Sequence, residues 1–428
     1  MAVAIVPQWL RVSVVFFGVS ANDAHELESE LAAANEAIEN LVKEAAANES
    51  RANALSENAW RWVFRYRRLQ GALRHLTGRA NNVPSVSTTP TNGSSTAARS
   101  DETLSKLLAL AKSEARHGRN NAAAAITQLI AAHYPQNPLP QSLLSLEPNA
   151  DRTLSHKANY HLALAYGHYL LGENEAAASN YRTALTFNSD LPDAHSGLAA
   201  VNMPGIPYLD WLEKLYRFLK PKNVIEIGVS QSASLARVPA PAIAIGVDPV
   251  PSVIYPLQTE AHIFAETSDD FFAHRNVHEL LRGEPLSIGF IDGSHLFEQA
   301  LRDFMNLEKY CGPNSLIMFH DTVPLDELTQ RRTPETHFST GDVWKTILCL
   351  KQYRPDLDIF TIATAPTGLT LVTGLDPKSS VLAEIYDDAL AKLLNLPFEA
   401  VQQNLQSELN VVPNDWNLVE MRLKGIEH

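Results

Sequence analysis

Two short stretches end apolar runs on groups that can do chemistry. LSIGFIDGSHLFEQALRDF (286–304) closes one run on Asp292 and sets His295 three residues further on. SLIMFHD (315–321) closes another on His320 and Asp321. A carboxylate accepts protons or holds cations, and an imidazole titrates near neutrality, so a histidine beside such acids can act as a general base. Each histidine also has a plainer reading. His295 could be a first-turn residue of the following helix, and His320 a strand-end histidine paired with a nearby acid. Asp292 is the residue the pattern favours most for a site.

Positioning these groups needs a sheet. NVIEIG (223–228), AIAIGVDP (242–249), HIFAET (262–267), LSIGFIDG (286–293) and SLIMFHD are too short for helices and rich in Ile, Val, Leu and Phe. They read as buried parallel strands. Stretches between them, such as HLFEQALRDFMNLEKY, carry apolar residues at helical spacing, and this alternation predicts a doubly wound α/β sheet. DIFTIATA (358–365) and LTLVTG (369–374) are separated only by PTG, which is too short for a crossover helix, so this pair must be antiparallel. Ligands of such sheets sit beyond the carboxyl ends of the strands. Asp292, His295, His320 and Asp321 should therefore converge on one edge. The second strand ends at Asp248, where an acid can accept both hydroxyls of a ribose, although a turn-forming Asp before Pro249 would look the same. After the third strand, Ser268 or Asp269 could reach an adenine edge or cap the next helix.

A parallel sheet finished by an antiparallel hairpin resembles the class I S-adenosylmethionine-dependent methyltransferases. FIDGSHLFEQALRDF, FHDTVP, TGDVWKTILCLKQYRPDL and PTGLTLVTGLDP occur in this order. Together they are similar to a bacterial group near the enzymes acting on sugars and sugar-bearing natural products, over about residues 208–377. The resemblance implies a Rossmann-like, seven-stranded, mostly parallel sheet. Glu226 and Gly228 match the start of the family's E-x-G-x-G-x-G loop, with Ser230 and Ser232 in place of the later glycines. A residue with a side chain pays about 1–2 kcal/mol at positive φ, so this loop is expected to differ from the family's or not to need that conformation. The serine hydroxyls could bond the methionine carboxylate or the ribose. The separation of Asp292 and Asp321 resembles that of the metal-binding acids in cation-dependent O-methyltransferases, which implies Mg²⁺ or Mn²⁺ at hard oxygen ligands. The implied activity is O-methylation of a sugar or glycan hydroxyl. The replaced glycines also admit a non-catalytic binding or scaffold protein. A nicotinamide-dependent dehydrogenase would need a fuller G-x-G-x-x-G than GVSQSA supplies.

VPLDELTQRRTPETHFS (323–339) is a polar loop long enough to cover the site. In it Arg331, Arg332 and His337 could bind an anionic acceptor. Asp342 of TGDVWK is placed to cap the helix that follows it.

The chain divides into residues 1–79, a Ser/Thr/Pro-rich linker at 80–100, a helical region at 101–203 and the α/β region at 204–428. The helical region contains LLGENEAAASNYRTALTFNSDLPDA, which resembles half of a tetratricopeptide repeat, with Gly172 at the turn and Ala177, Tyr181 and Ala184 at helix contacts. A weaker copy carries Gly118, Ala123 and Pro135. Residues 22–57 read as one long helix, either solvated or a coiled coil through which the chain associates with itself or a protein partner. WRWVFRYRRLQGALRHLTGR (60–79) alternates aromatic and cationic groups, fitting either an anionic membrane surface or an acidic face of this protein. The apolar stretch at 3–21 holds Pro7 and Arg11, so it reads as a mis-assigned start or a short interfacial segment rather than an export signal. A net charge of −13 excludes bulk nucleic-acid binding. Two cysteines in apolar surroundings favour a reducing, cytoplasmic location, peripheral to the inner membrane if residues 60–79 bind lipid.

Overall fold

The computed structural model describes residues 95–147 and 153–426, all within one compact unit, Thr91–His428. The expectations for residues 1–79 lie outside the described residues.

The helical region is built from α1 (Ser95–Arg116), α2 (Asn120–His133), α3 (Leu154–Leu171), α4 (Asn174–Phe187) and α5 (Pro192–Asn202). α1 starts inside the stretch read as linker. No Gly or Pro follows Gly93 there, and a helix already packed through Leu104, Leu107 and Ala111 extends backwards at little cost. Gly172 ends α3 at φ 76°, with its N–H on the His168 and Tyr169 carbonyls. This is the left-handed cap that lets α4 fold straight back. Small residues then allow close helix contact. Ala165, Ala177, Ala184 and Ala194 surround Tyr181 in one core.

The second region opens with α6 (Tyr208–Leu219), whose Trp211, Leu212, Leu215, Tyr216 and Leu219 form one buried stripe. It leads into β1 (Asn223–Ile227), β2 (Ile243–Val247), β3 (Ala261–Phe264), α7 (Ser268–His274), β4 (Leu286–Ile291), α8 (Phe297–Glu308) and β5 (Cys311–Phe319). After the 323–343 segment come α9 (Trp344–Tyr353), β6 (Asp358–Ile362), β7 (Leu369–Thr373), α10 (Val381–Leu393), β8 (Val411–Val412) and α11 (Trp416–Leu423). The sheet order is β3-β2-β1-β4-β5-β7-β6-β8. β1 to β5 pair in parallel, and β7 runs antiparallel to both β5 and β6. The hairpin and the parallel run agree with the sequence. The eighth strand, two residues long and parallel to β6, is too short to leave a periodic signal.

β1, β2 and β4 are buried at every position because both faces are covered. α8, α9 and α10 pack on one face through Phe297, Phe304, Trp344 and Ile347. α6 and α11 pack on the other through Trp211, Leu215, Val419 and Leu423. Each such side chain contributes about 1.5–3 kcal/mol of transfer free energy. One ion group is sealed into this frame. Arg354, 1% exposed, makes paired bonds of 2.8 and 2.9 Å to Glu308 and a 2.7 Å bond to Asp356. Arg354→Ala would leave the buried Glu308 carboxylate uncompensated. We expect a loss of about 3–5 kcal/mol in a urea unfolding titration, with no direct effect on the site described next.

Candidate functional site

A cavity of about 750 Å³ lies at the carboxyl ends of β1, β2, β4 and β5. That volume is within the usual range for a small-molecule site, roughly 300–1,000 Å³. Parallel strands deliver their last residues to the same edge, so groups far apart in sequence become neighbours. Asp292, His295, His320 and Asp321 all line the cavity.

Their atoms interlock. His320 Nδ1 lies 3.2 Å from Asp292 Oδ1 and 3.2 Å from Asp321 Oδ2. His295 Nε2 lies 2.8 Å from Asp321 Oδ2 and 3.7 Å from Asp292 Oδ1. His295 Nδ1 donates to the Ser339 carbonyl at 3.0 Å. A carbonyl only accepts, so Nδ1 carries a proton, and Nε2 must carry one to bond Asp321. Asp321, followed by burial in opposition, pushes the His295 imidazole up to about 11. For His320 burial opposes the charge most strongly, but Asp321 and Asp292 together outweigh it and raise the group to about 10. Burial works against the Asp321 carboxylate too, yet the two imidazoles hold it well below its usual range. Asp292, His320 and Asp321 each offer a ligand atom within 4.8 Å of the others. Two carboxylates, joined by the imidazole once it gives up its Nδ1 proton, form a donor set that fits a divalent cation of the Mg²⁺ or Mn²⁺ kind.

The backbone is strained where it presents these groups. His295 has φ 56° and Asp321 φ 57°, a region that costs a non-glycine residue about 1–3 kcal/mol and persists where the surroundings enforce it. Gly341 helps to enforce it for His295, since a Cβ there would sit 1.9 Å from the His295 carbonyl oxygen.

The loop after β1 corrects the sequence expectation. Ser230 and Ser232 do not avoid positive φ; they adopt it, at 45° and 63°. Compensation is visible in the hydrogen bonds. Ser230 N donates to Asp248 Oδ2 at 2.8 Å, and the Ser232 hydroxyl bonds the Gln231 and Tyr255 carbonyls at 2.5 and 3.1 Å. Gly228, at φ 91°, remains a glycine for a stricter reason: a Cβ there would meet the Asp292 carbonyl oxygen at 1.8 Å.

The remaining expected cofactor residues divide in two. Gly228, Ser230, Asp248 and Ser268 line the cavity. Glu226, Ser232 and Asp269 do not. Glu226 is fully buried beneath the loop, accepts from the Ser234 hydroxyl at 2.6 Å, and is pushed well above its usual range by burial. Ser232 is likewise fully buried, its hydroxyl spent on the two carbonyls. Asp269 points outward to Arg302 at 3.3 Å. The helix cap at α7 is Thr267, which accepts from Asp270 N, so neither Ser268 nor Asp269 serves as cap.

Sequence reasoning missed four cavity residues. Asp303 accepts from the Ser268 hydroxyl at 2.6 Å and from Gln299 at 3.0 Å. Burial raises its carboxyl to about 6. Gln299 and Asp303 sit four residues apart on α8, and an acid on the otherwise apolar face of that helix was a usable signal. The Tyr208 ring packs against His320 at 4.1 Å, tilted by 32°, and Thr367 Oγ1 lies 3.2 Å from His320 Nε2. Nothing local to either residue announces this.

The 323–339 loop does border the cavity, through His337, Phe338 and Ser339. Its arginines do not. Arg332 is committed to Glu298, at 2.6 and 2.9 Å, and to Asp342, at 2.7 Å. Arg331 pairs with Glu335 at 2.5 Å. The expected anion-binding arginines are thus neutralised within the protein. Asp342 also serves a different helix from the one expected: its carboxylate accepts from Phe297 N at 2.9 Å, at the start of α8.

Residues 242–322 match a family model described as a methyltransferase domain. The match runs from β2 to the residue after Asp321 and so contains the whole carboxylate–imidazole cluster. No curated protein matches the sequence. Among solved structures, the chain is similar to the O-methyltransferase from Bacillus cereus in complex with SAH, at 15% identity over 41% of this chain and 86% of that one, TM-score 0.31. It is similar to the O-methyltransferase TomG from Streptomyces achromogenes, involved in tomaymycin synthesis and solved with SAM, at 17% identity over 51% and 97%, TM-score 0.30. An O-methyltransferase family protein from Burkholderia thailandensis aligns at 12% identity over 59% and 83%, TM-score 0.30. No described helix is long and apolar enough to cross a membrane.

Proposed function

We propose that this chain, which carries a methyltransferase domain, moves the methyl group of S-adenosylmethionine to a hydroxyl of a sugar or glycan, assisted by a divalent cation. The observation that carries this reading is the convergence of Asp292, His295, His320 and Asp321 on a cavity that is also lined by a nucleoside-type loop and acid, Gly228 and Asp248. The reaction forms a C–O bond, breaks the C–S bond of the sulfonium, and releases S-adenosylhomocysteine and one proton.

The chain's residues take distinct parts. Asp248, already accepting from Ser230 N and Val250 N, keeps lone pairs for the ribose hydroxyls. Ser268, Gln299 and Asp303 form the polar patch proposed for the adenine edge. Asp292, His320 and Asp321 would hold the cation. Bound there, it would lower the pKa of an acceptor hydroxyl and steady the alkoxide. His295, tied down through Ser339 and protonated on both ring nitrogens, lends its positive charge to the developing alkoxide, while the acceptor's proton leaves to solvent. Tyr208 and Phe338 offer apolar faces for a ring, while Asp, His, Ser and Thr groups offer polar ones. Among the described residues no Lys or Arg lines the cavity, which favours an uncharged sugar over a phosphorylated or uronic one. A degenerate, non-catalytic fold is disfavoured, because the serines that suggested it hold the glycine-type conformation.

S-adenosylhomocysteine titrated into the purified chain by calorimetry tests the cofactor half. We expect saturable binding, weakened about 10- to 100-fold in Asp248→Ala, as loss of a charge-assisted bond predicts. A folded chain that takes up no S-adenosylhomocysteine would refute this reading.

A further inference from the structure

We propose that the helical region is a working part of the site, with Asp190 and His195 acting as positioning residues that hold the 337–339 strap, and the strap in turn fixing His295. This rests on the methyl-transfer reading of the cluster. The chain of contacts is continuous. Asp190, in the turn between α4 and α5, accepts from His337 N at 2.7 Å and from His337 Nδ1 at 2.6 Å. His195 of α5, 1% exposed, stacks flat under Phe338 at 5.1 Å and 14°. Next in the chain, the Ser339 carbonyl accepts from His295 Nδ1, and the His295 carbonyl accepts from Asp342 N at 3.1 Å. His295 is thereby clamped at its ring and its backbone by one strap.

The burial pattern argues that the contact is more than incidental. An imidazole buried without a partner for Nδ1 is costly, yet here it supports the residue that walls the cavity. The exposed His337 ring contributes little through its ion pair. The backbone bond from His337 N and the stacked Phe338 are the firmer attachments. Distance explains the functional weight. A misplacement of about 1 Å at a reacting group can cost about 10²-fold in rate, and the His295 ring is set by the strap, by Asp321 and, at 3.7 Å, by Asp292.

The test compares the full chain with Asp190→Ala, His195→Ala and Asp190→Asn. In the two alanine variants, hydrogen exchange should quicken at the amides of 337–342. Turnover should fall about tenfold or more in kcat, while S-adenosylhomocysteine affinity stays within about twofold. Asp190→Asn keeps an acceptor for His337 N and should restore most of both. Unchanged exchange in the alanine variants would overturn the proposal, whatever the turnover. So would a fall in cofactor affinity matching the fall in kcat, since that would mean general loosening. If the unmodified chain transfers no methyl group while exchange still responds, the positioning stands and the methyl-transfer reading fails.

Discussion

Asp321→Ala and Asp292→Ala each lower methyl transfer by about 10²–10³-fold or more, the scale seen when one group stabilising a developing oxyanion is removed. Asp321 touches both imidazoles, at 2.8 and 3.2 Å, so its loss removes a partner from His295 and His320 at once. Asp292 is the more exposed acid, with 19% of its side chain accessible, and in the proposed reading it faces the incoming oxygen. Both belong to the proposed cation set, so a chelator should silence the unmodified chain, and added Mg²⁺ or Mn²⁺ should restore it. Manganese uptake followed by electron paramagnetic resonance gives a readout free of turnover: binding in the unmodified chain, none in either variant. Full activity in chelator would remove the cation from the account and leave the carboxylates acting on the imidazoles alone. Full activity in both alanine variants would remove the cluster itself.

The second large effect comes from one methyl group. Gly228→Ala places a Cβ 1.8 Å from the Asp292 carbonyl oxygen, at φ 91°. No rotamer change relieves a clash between two backbones. β1 and β4 would have to part at the end where the ligand sits. The combined strain is about 2–5 kcal/mol, read as a lower urea midpoint. S-adenosylhomocysteine affinity should fall by about 100-fold or more, because the loop and Asp292 move together. Native affinity in Gly228→Ala would mean that the loop does not approach the ligand. Ser230→Gly is the contrasting case. It gains backbone freedom and loses positive-φ strain of similar size, so stability stays within about 1 kcal/mol.

Sequence alone determined the sheet and its chemical edge. Runs such as NVIEI and LSIGFI are apolar at every position because a parallel strand is covered on both faces. Strand direction then obliges Asp292, His320 and Asp321 to meet, whatever lies between them. The short link between β6 and β7 fixed their antiparallel pairing for the same local reason. Tertiary structure alone decided how each polar group is spent. Arg332 read as a ligand for an anion until Glu298, 34 residues away, claimed it. Asp342 read as the cap of its own helix until Phe297 N, 45 residues away, reached it first. Glu226 and Ser232 went beneath the loop and Asp269 went to Arg302, while Asp303, Tyr208 and the strap came in from distant segments. Periodicity is carried by a residue's neighbours in the chain, so it survives in the sequence. A charge or a hydroxyl bonds to whatever packing brings within about 3 Å, and that choice belongs to the folded molecule.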